Sequence, residues 1–142
     1  MLRRVGFFRE FYPDHPSLPA MRDHMGTRRI RSEAKIVEYL RAGHILAGIM
    51  EWLPDHFDGT RFDEGSGAAS LITDGVWAWR LDLAHYVEKY HVQVPDEFVR
   101  HLVESGFRVP ELSQQDLIAL GAAEKQGLGV DWWTSPGGRF EG

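Results

Sequence analysis

A single turn constrains this chain more than any other feature. Asp74-Gly75 stands between two short runs, Ala69-Ser70-Leu71-Ile72-Thr73 and Val76-Trp77-Ala78-Trp79-Arg80. A two-residue type I′ turn needs positive φ at both central positions, which Asp and Gly tolerate. The segment is therefore expected to form a β-hairpin in which Thr73 faces Val76, Ile72 faces Trp77 and Ser70 faces Trp79. Strand alternation then puts Trp77, Trp79 and Ile72 on one face and Leu71, Thr73, Val76 and Ala78 on the other. Both faces carry apolar groups, so the sheet is expected to be covered on one side and partly on the other.

The rest of the chain supplies helices and further strands to do the covering. Val5 to Phe11 is rich in β-branched and aromatic residues and reads as a first strand, broken at Pro13-Asp14-His15-Pro16. Ser17 is placed to cap a short helix running to about Met25, and Ser32 to cap a second whose stripe is Ala34, Ile36, Val37 and Leu40. The run from His44 to Trp52, closed by Pro54, has strand length and reads as buried. Asp55 to Gly67 is charged and glycine-rich and reads as the longest loop. After the hairpin, Asp82 is an N-cap candidate for a helix carrying Leu83, Tyr86, Val87 and Tyr90 at helical spacing. Pro95 with Asp96-Glu97 opens another helix, ended near Gly106. Ser113 with Asp116 resembles a capping box before a last helix that stops near Gly127. The expected fold is a single α+β domain over residues 1–142: a small, mostly antiparallel sheet of about four strands, with a central β-hairpin and several packed helices. The 128–142 tail, with Trp132 and Trp133, is expected to pack on the domain or on a partner.

At 142 residues with 43% hydrophobic content, the chain is long enough to bury a sizeable core. No apolar run approaches the ~20 residues that span a bilayer, and the N-terminus does not read as a signal peptide. The chain has no cysteine, which excludes disulfides, thiolate metal sites and a cysteine nucleophile. A cytoplasmic protein is the resulting expectation. Charge is unevenly distributed. Residues 1–42 carry a net +4 and residues 43–142 a net −9. The acidic part would repel nucleic acid and attract a basic partner, although solvated faces of one domain account for the same asymmetry. Arg28, Arg29 and Arg31 form the one local basic cluster; nucleic-acid binding through it ranks well below the other readings.

Three blocks carry a family likeness. They are Val5-Gly6-Phe7-Phe8-Arg9-Glu10 with Pro16-Ser17-Leu18, then Tyr39-Leu40-Arg41-Ala42-Gly43-His44, and Thr73-Asp74-Gly75-Val76-Trp77-Ala78-Trp79 leading into Asp82-Leu83-Ala84-His85-Tyr86-Val87-Glu88-Lys89-Tyr90-His91 and Pro95-Asp96-Glu97-Phe98. Together they resemble a family of small uncharacterised bacterial proteins common in actinobacterial genomes. This chain departs from it at Arg80-Leu81, where the family commonly has Pro-Ser. The resemblance implies a fold unit rather than a reaction. In size, acidity and α+β layout the chain is also similar to small immunity proteins of bacterial toxin systems.

No catalytic set emerges from the residues. There is no G-x-S-x-G elbow, P-loop or dinucleotide fingerprint. Asp82, His85 and Glu88 lie three apart, but lack the paired-histidine spacing of helix-borne zinc motifs, so no metal and no cofactor is expected. Asp55, Asp58, Asp63 and Glu64 do not match an EF-hand and read as a solvated loop. His91, after Tyr90 at a helix end, is suited either to capping carbonyls or to joining a polar-aromatic pocket. His44 and His101 read as structural histidines. Two functions follow as expectations. The first is a non-enzymatic protein-binding role, immunity-like, using the acidic part or the tryptophans, with a homodimer as one form of partnership. The second is an enzyme or sensor with a small-molecule pocket near Trp79, Asp82, Tyr90 and His91.

Overall fold

The hairpin forms, and its second strand becomes the centre of the sheet. The structure is a computed structural model that describes residues 2–26 and 30–128. Its strands are β1 (Arg3–Arg4), β2 (His44–Ala47), β3 (Leu71–Thr73) and β4 (Trp77–Arg80), in the order β1-β4-β3-β2. β4 pairs antiparallel with β3, β3 antiparallel with β2, and β1 adds parallel to β4. Four α-helices accompany them: α1 (Glu33–Arg41), α2 (Leu83–Tyr90), α3 (Asp96–Glu104) and α4 (Gln114–Leu128). This is an α+β fold with a small, mostly antiparallel sheet, as the sequence predicts.

The turn itself differs from expectation. Thr73 pairs with Ala78 and Ile72 with Trp79, so the central residues are Gly75 and Val76 rather than Asp74 and Gly75. Only Gly75 takes a positive φ, +98°, which rules out a type I′ turn. Asp74 instead spends its side chain on the turn: Oδ1 accepts the N–H groups of Val76 (2.9 Å) and Trp77 (2.7 Å). The turn thus moves by one residue and each cross-strand partner by two, which leaves the strand side chains on their predicted faces, while Val76 passes into the turn and is exposed.

Both faces are buried. Trp79 donates its indole N–H to the Leu40 carbonyl at 3.0 Å and packs with Tyr39 and Phe98. Trp77 meets Phe98 edge-on, with Arg3 stacked on its ring. A Cβ at Gly43 would stand 2.7 Å from Trp79 Cζ2, so glycine at that position lets the α1–β2 connection close over the ring. On the second face Leu71, Thr73 and Ala78 are equally buried. The Ser113–Asp116 capping box forms as predicted, with reciprocal bonds of 3.0 Å, and starts α4, which packs on β2.

Three predicted elements are corrected. The aromatic N-terminal run is strand only at Arg3–Arg4; beyond Val5 it turns repeatedly, and Phe7, Phe8, Phe11 and Tyr12 fill core. The helix predicted from Ser17 shrinks to one 3₁₀ turn, Met21–His24, whose start is held by the Glu10 carboxylate on the N–H groups of Met21 (2.7 Å) and Arg22 (3.1 Å). The run from His44 to Trp52 is a four-residue edge strand with an irregularity between Ile45 and Ala47, and Ile45, Met50 and Trp52 are exposed. Its apolar composition reflects α4 and the chain edge rather than a buried centre. Arg28, Arg29, Trp132, Trp133 and the 129–142 part of the tail lie outside the described residues.

Part of the charge asymmetry of the chain is met by ion pairs within the fold. Arg3 pairs with Glu97, Arg4 with Glu124 (2.6 Å), and Arg41 with Glu64 (2.9 Å) and Glu88 (3.2 Å). In these four pairs three arginines of the basic start meet four glutamates of the acidic remainder.

Candidate functional site

The chemistry collects where β4 ends and α2 begins. Arg80 is the last residue of β4, and the pleat turns its side chain away from Trp79, into the second face. Two residues on, Asp82 precedes the first turn of α2. The two side chains form a bidentate pair, Nε to Oδ1 and Nη2 to Oδ2, both at 3.0 Å, and both are buried. The rings of Phe11 and Tyr12 cover the guanidinium, with its carbon 4.0 Å and 5.4 Å from their centroids. Burial works against the charge on Arg80, but the Asp82 carboxylate more than offsets it and holds the guanidinium above its ordinary pKa. Asp82 makes no capping bond to α2. The expected N-cap role is therefore replaced by the ion pair, in which both oxygens of Asp82 meet the planar guanidinium.

This pair forms part of the wall of a cavity of about 350 Å³. Around it stand Glu10, Phe11, Leu53, Asp55, His56 and Tyr86. Asp55 is the second buried carboxylate of the site. Its Oδ1 accepts from the Phe57 N–H (2.8 Å), the Asp58 N–H (3.2 Å) and the Tyr90 hydroxyl (2.8 Å). Its Oδ2 meets His85 Nε2 (2.7 Å) and Lys89 Nζ (3.2 Å). Burial alone would raise the pKa of Asp55, but the bonds from His85, Tyr90 and the two backbone amides prevail and hold it well below the usual carboxylate range. Tyr90 is pushed up to about 12, by burial first and then by its bond to this anion. Asp55 thus ties the 55–60 loop to three residues of α2 and closes the cavity from the outside. The solvated-loop reading of the acidic cluster fails at Asp55, because tertiary donors reach it that the loop's own sequence does not contain.

Tyr86 completes the wall. Its hydroxyl accepts the His56 N–H at 2.9 Å. Burial, followed by the nearby charge of Asp82, raises its pKa, so the phenol keeps its proton.

Of the four predicted binding residues, Asp82 lines the cavity and Tyr90 braces its outer wall through Asp55. Trp79 is wholly buried on the other face of the sheet, among Leu40, Tyr39 and Phe98. His91 adopts a left-handed backbone (φ 55°) at the end of α2 and turns its Nδ1 to the buried Glu33, 2.8 Å from Oε2. It neither caps carbonyls with its ring nor joins Trp79. The Asp82, His85 and Glu88 set disperses likewise, to Arg80, Asp55 and Arg41. His44 bonds the Pro110 carbonyl and His101 bonds Asp74. Residue-by-residue reading missed Asp55, Arg80 and Tyr86. The signal for Arg80 was limited to its spacing: an arginine two positions before an aspartate has a partner within reach, but nothing local says that the pair is buried.

A scan of family models, a search of curated proteins and a search of solved structures found nothing that matches this chain.

Proposed function

We propose that this protein binds a small organic molecule in the cavity between the end of β4 and the start of α2. One observation carries the reading: a buried Arg80–Asp82 pair, costly to desolvate, forms the wall of a cavity instead of being sealed in the core. Aromatic surface from Phe11 and Tyr86 and a few fixed polar groups are the usual makings of a ligand site. The test is a ligand-detected fragment screen on the full chain beside Leu53→Trp, a substitution that fills the cavity from its rim. Fragments that bind the native chain and lose binding in the filled variant support the site. A screen without such fragments overturns it.

A protein-binding role, immunity-like or homodimeric, is the second reading. Its support is the exposed apolar group Ile45, Met50 and Trp52 at the edge-strand side of the sheet. Its other motives are weaker in the folded chain, where Trp77 and Trp79 are core and Glu64, Glu88, Glu97 and Glu124 already hold cations. Sedimentation of the full chain tests the homodimer: a concentration-dependent dimer abolished by Met50→Asp supports it, and a monomer throughout removes it.

A further inference from the structure

Resting on the small-molecule reading, we infer that the cavity selects an uncharged molecule that presents a carbonyl-type hydrogen-bond acceptor beside an aromatic or apolar body. The inference comes from counting which polar groups of the wall are already used. Every carboxylate oxygen there has a donor. Both oxygens of Asp82 are held by Arg80. Those of Asp55 are held by Phe57, Asp58, Tyr90, His85 and Lys89. Those of Glu10 are held by the N–H groups of Met21 and Arg22. An ammonium ligand would have to share acceptors that already serve the fold, and would meet the guanidinium of Arg80.

An anionic ligand fares no better. The wall carries three carboxylates, Glu10, Asp55 and Asp82, against one guanidinium whose charge is already matched by Asp82 through Nε and Nη2. A further negative charge meets a net negative wall even though Nη1 has a donor to offer. A buried carboxylate without a dedicated partner is strongly disfavoured. The unspent capacity lies in donors. Among the described residues, Nη1 of Arg80 is buried without a hydrogen-bond partner. The Tyr86 hydroxyl, buried in the cavity wall, accepts from His56 but donates to no acceptor among the described residues. A protonated phenol with one free hydrogen calls for a ligand oxygen or nitrogen lone pair. The imidazole of His56, able to donate or accept, matches either partner and does not alter the choice. Phe11 and the ring of Tyr86 supply flat apolar contact for the body of the molecule.

Three probes of one size and three charge states test the selection: benzamide, benzoate and benzylamine, titrated into the full chain and followed by the amide signals of Gly59 and the Nε–H signal of Arg80. Benzamide is expected to shift these signals and to bind at least about tenfold more tightly than either charged probe, the scale of one hydrogen bond left unmade. Tyr86→Phe is expected to weaken benzamide by about tenfold, a change read only after its melting curve shows a folded chain. Benzoate or benzylamine binding as tightly as benzamide, with the same signals moving, overturns the ligand class and leaves the cavity reading in place. No shift from any of the three, with fragment binding still lost in Leu53→Trp, also removes the class alone. No shift together with an empty fragment screen removes both.

Discussion

Asp74 and Asp82 flank the same strand, and both carboxylates are buried, yet the protein solvates them in opposite ways. Asp74 is held by the N–H groups of Val76 and Trp77, the Tyr39 hydroxyl (2.6 Å) and His101 (2.8 Å). Its partners come from the turn, α1 and α3, so one side chain fixes a register and two helices at once. Asp82 is held by a single guanidinium and faces a cavity. The first arrangement spreads one charge over several dipoles and is a folding device. The second concentrates two charges in one pair and leaves space beside it. Buried polarity marks a site only where it borders unfilled volume, and that distinction separates the two ends of β4.

The comparison can be broken most forcefully at the ion pair. Arg80→Met leaves Asp82 buried without its partner, so urea unfolding should register a loss of about 3–5 kcal/mol. Adding Asp82→Leu should recover most of it, because the desolvation cost then disappears from both sides. A double variant as unstable as the single would mean that the pair supports the fold in the way Asp74 does. At the other end, Asp74→Ala strands two backbone donors, and a loss on the order of 3 kcal/mol is expected. Asp74→Asn keeps one acceptor oxygen and should recover part of that loss in the same assay.

The two tyrosines refine the contrast on a smaller scale. Tyr39→Phe removes a donor to a buried anion and should cost about 1.5–3 kcal/mol in thermal or urea unfolding. Tyr86→Phe removes only an acceptor for a loop amide, and about 0.5–1.5 kcal/mol is expected. Equal losses would erase the distinction between a structural hydroxyl and one reserved for a ligand. Asp55 adds a pH signature. Its folded pKa lies below its unfolded one, so its contribution is fully present above the ordinary carboxylate value near 4 and is lost as pH falls further. Stability measured from pH 5 downward should therefore fall less steeply in Asp55→Asn than in the native chain. An unchanged slope would remove Asp55 from the acid response.

Local chemistry was legible wherever it was self-contained. Ser113 and Asp116 meet within one helical turn, and their capping box formed as read. The alternation of Ile72, Trp77 and Trp79 survived even though the turn moved by one residue, since a period of two is unchanged by a partner shift of two. Ser32 and Asp82, by contrast, occupy cap positions without making cap bonds. For Asp82 one local preference overrode another: the guanidinium two positions upstream was the stronger partner. The edge position of β2 was illegible for a different reason, because apolar composition does not say which neighbours a strand obtains.

By itself, then, the sequence determined the hairpin, the faces of its side chains, the positions of the four α-helices and the α+β class. These follow from short-range geometry: turn preferences, helical and strand periods, and caps within four residues. Only the tertiary structure decided which charges are buried and beside what. Asp55 finds His85, Lys89 and Tyr90 some 30 positions away, and Phe11, His56 and Tyr86 come to one cavity from three parts of the chain. Desolvation and ion pairing depend on where chains pack against one another, and no window of neighbouring residues contains that information.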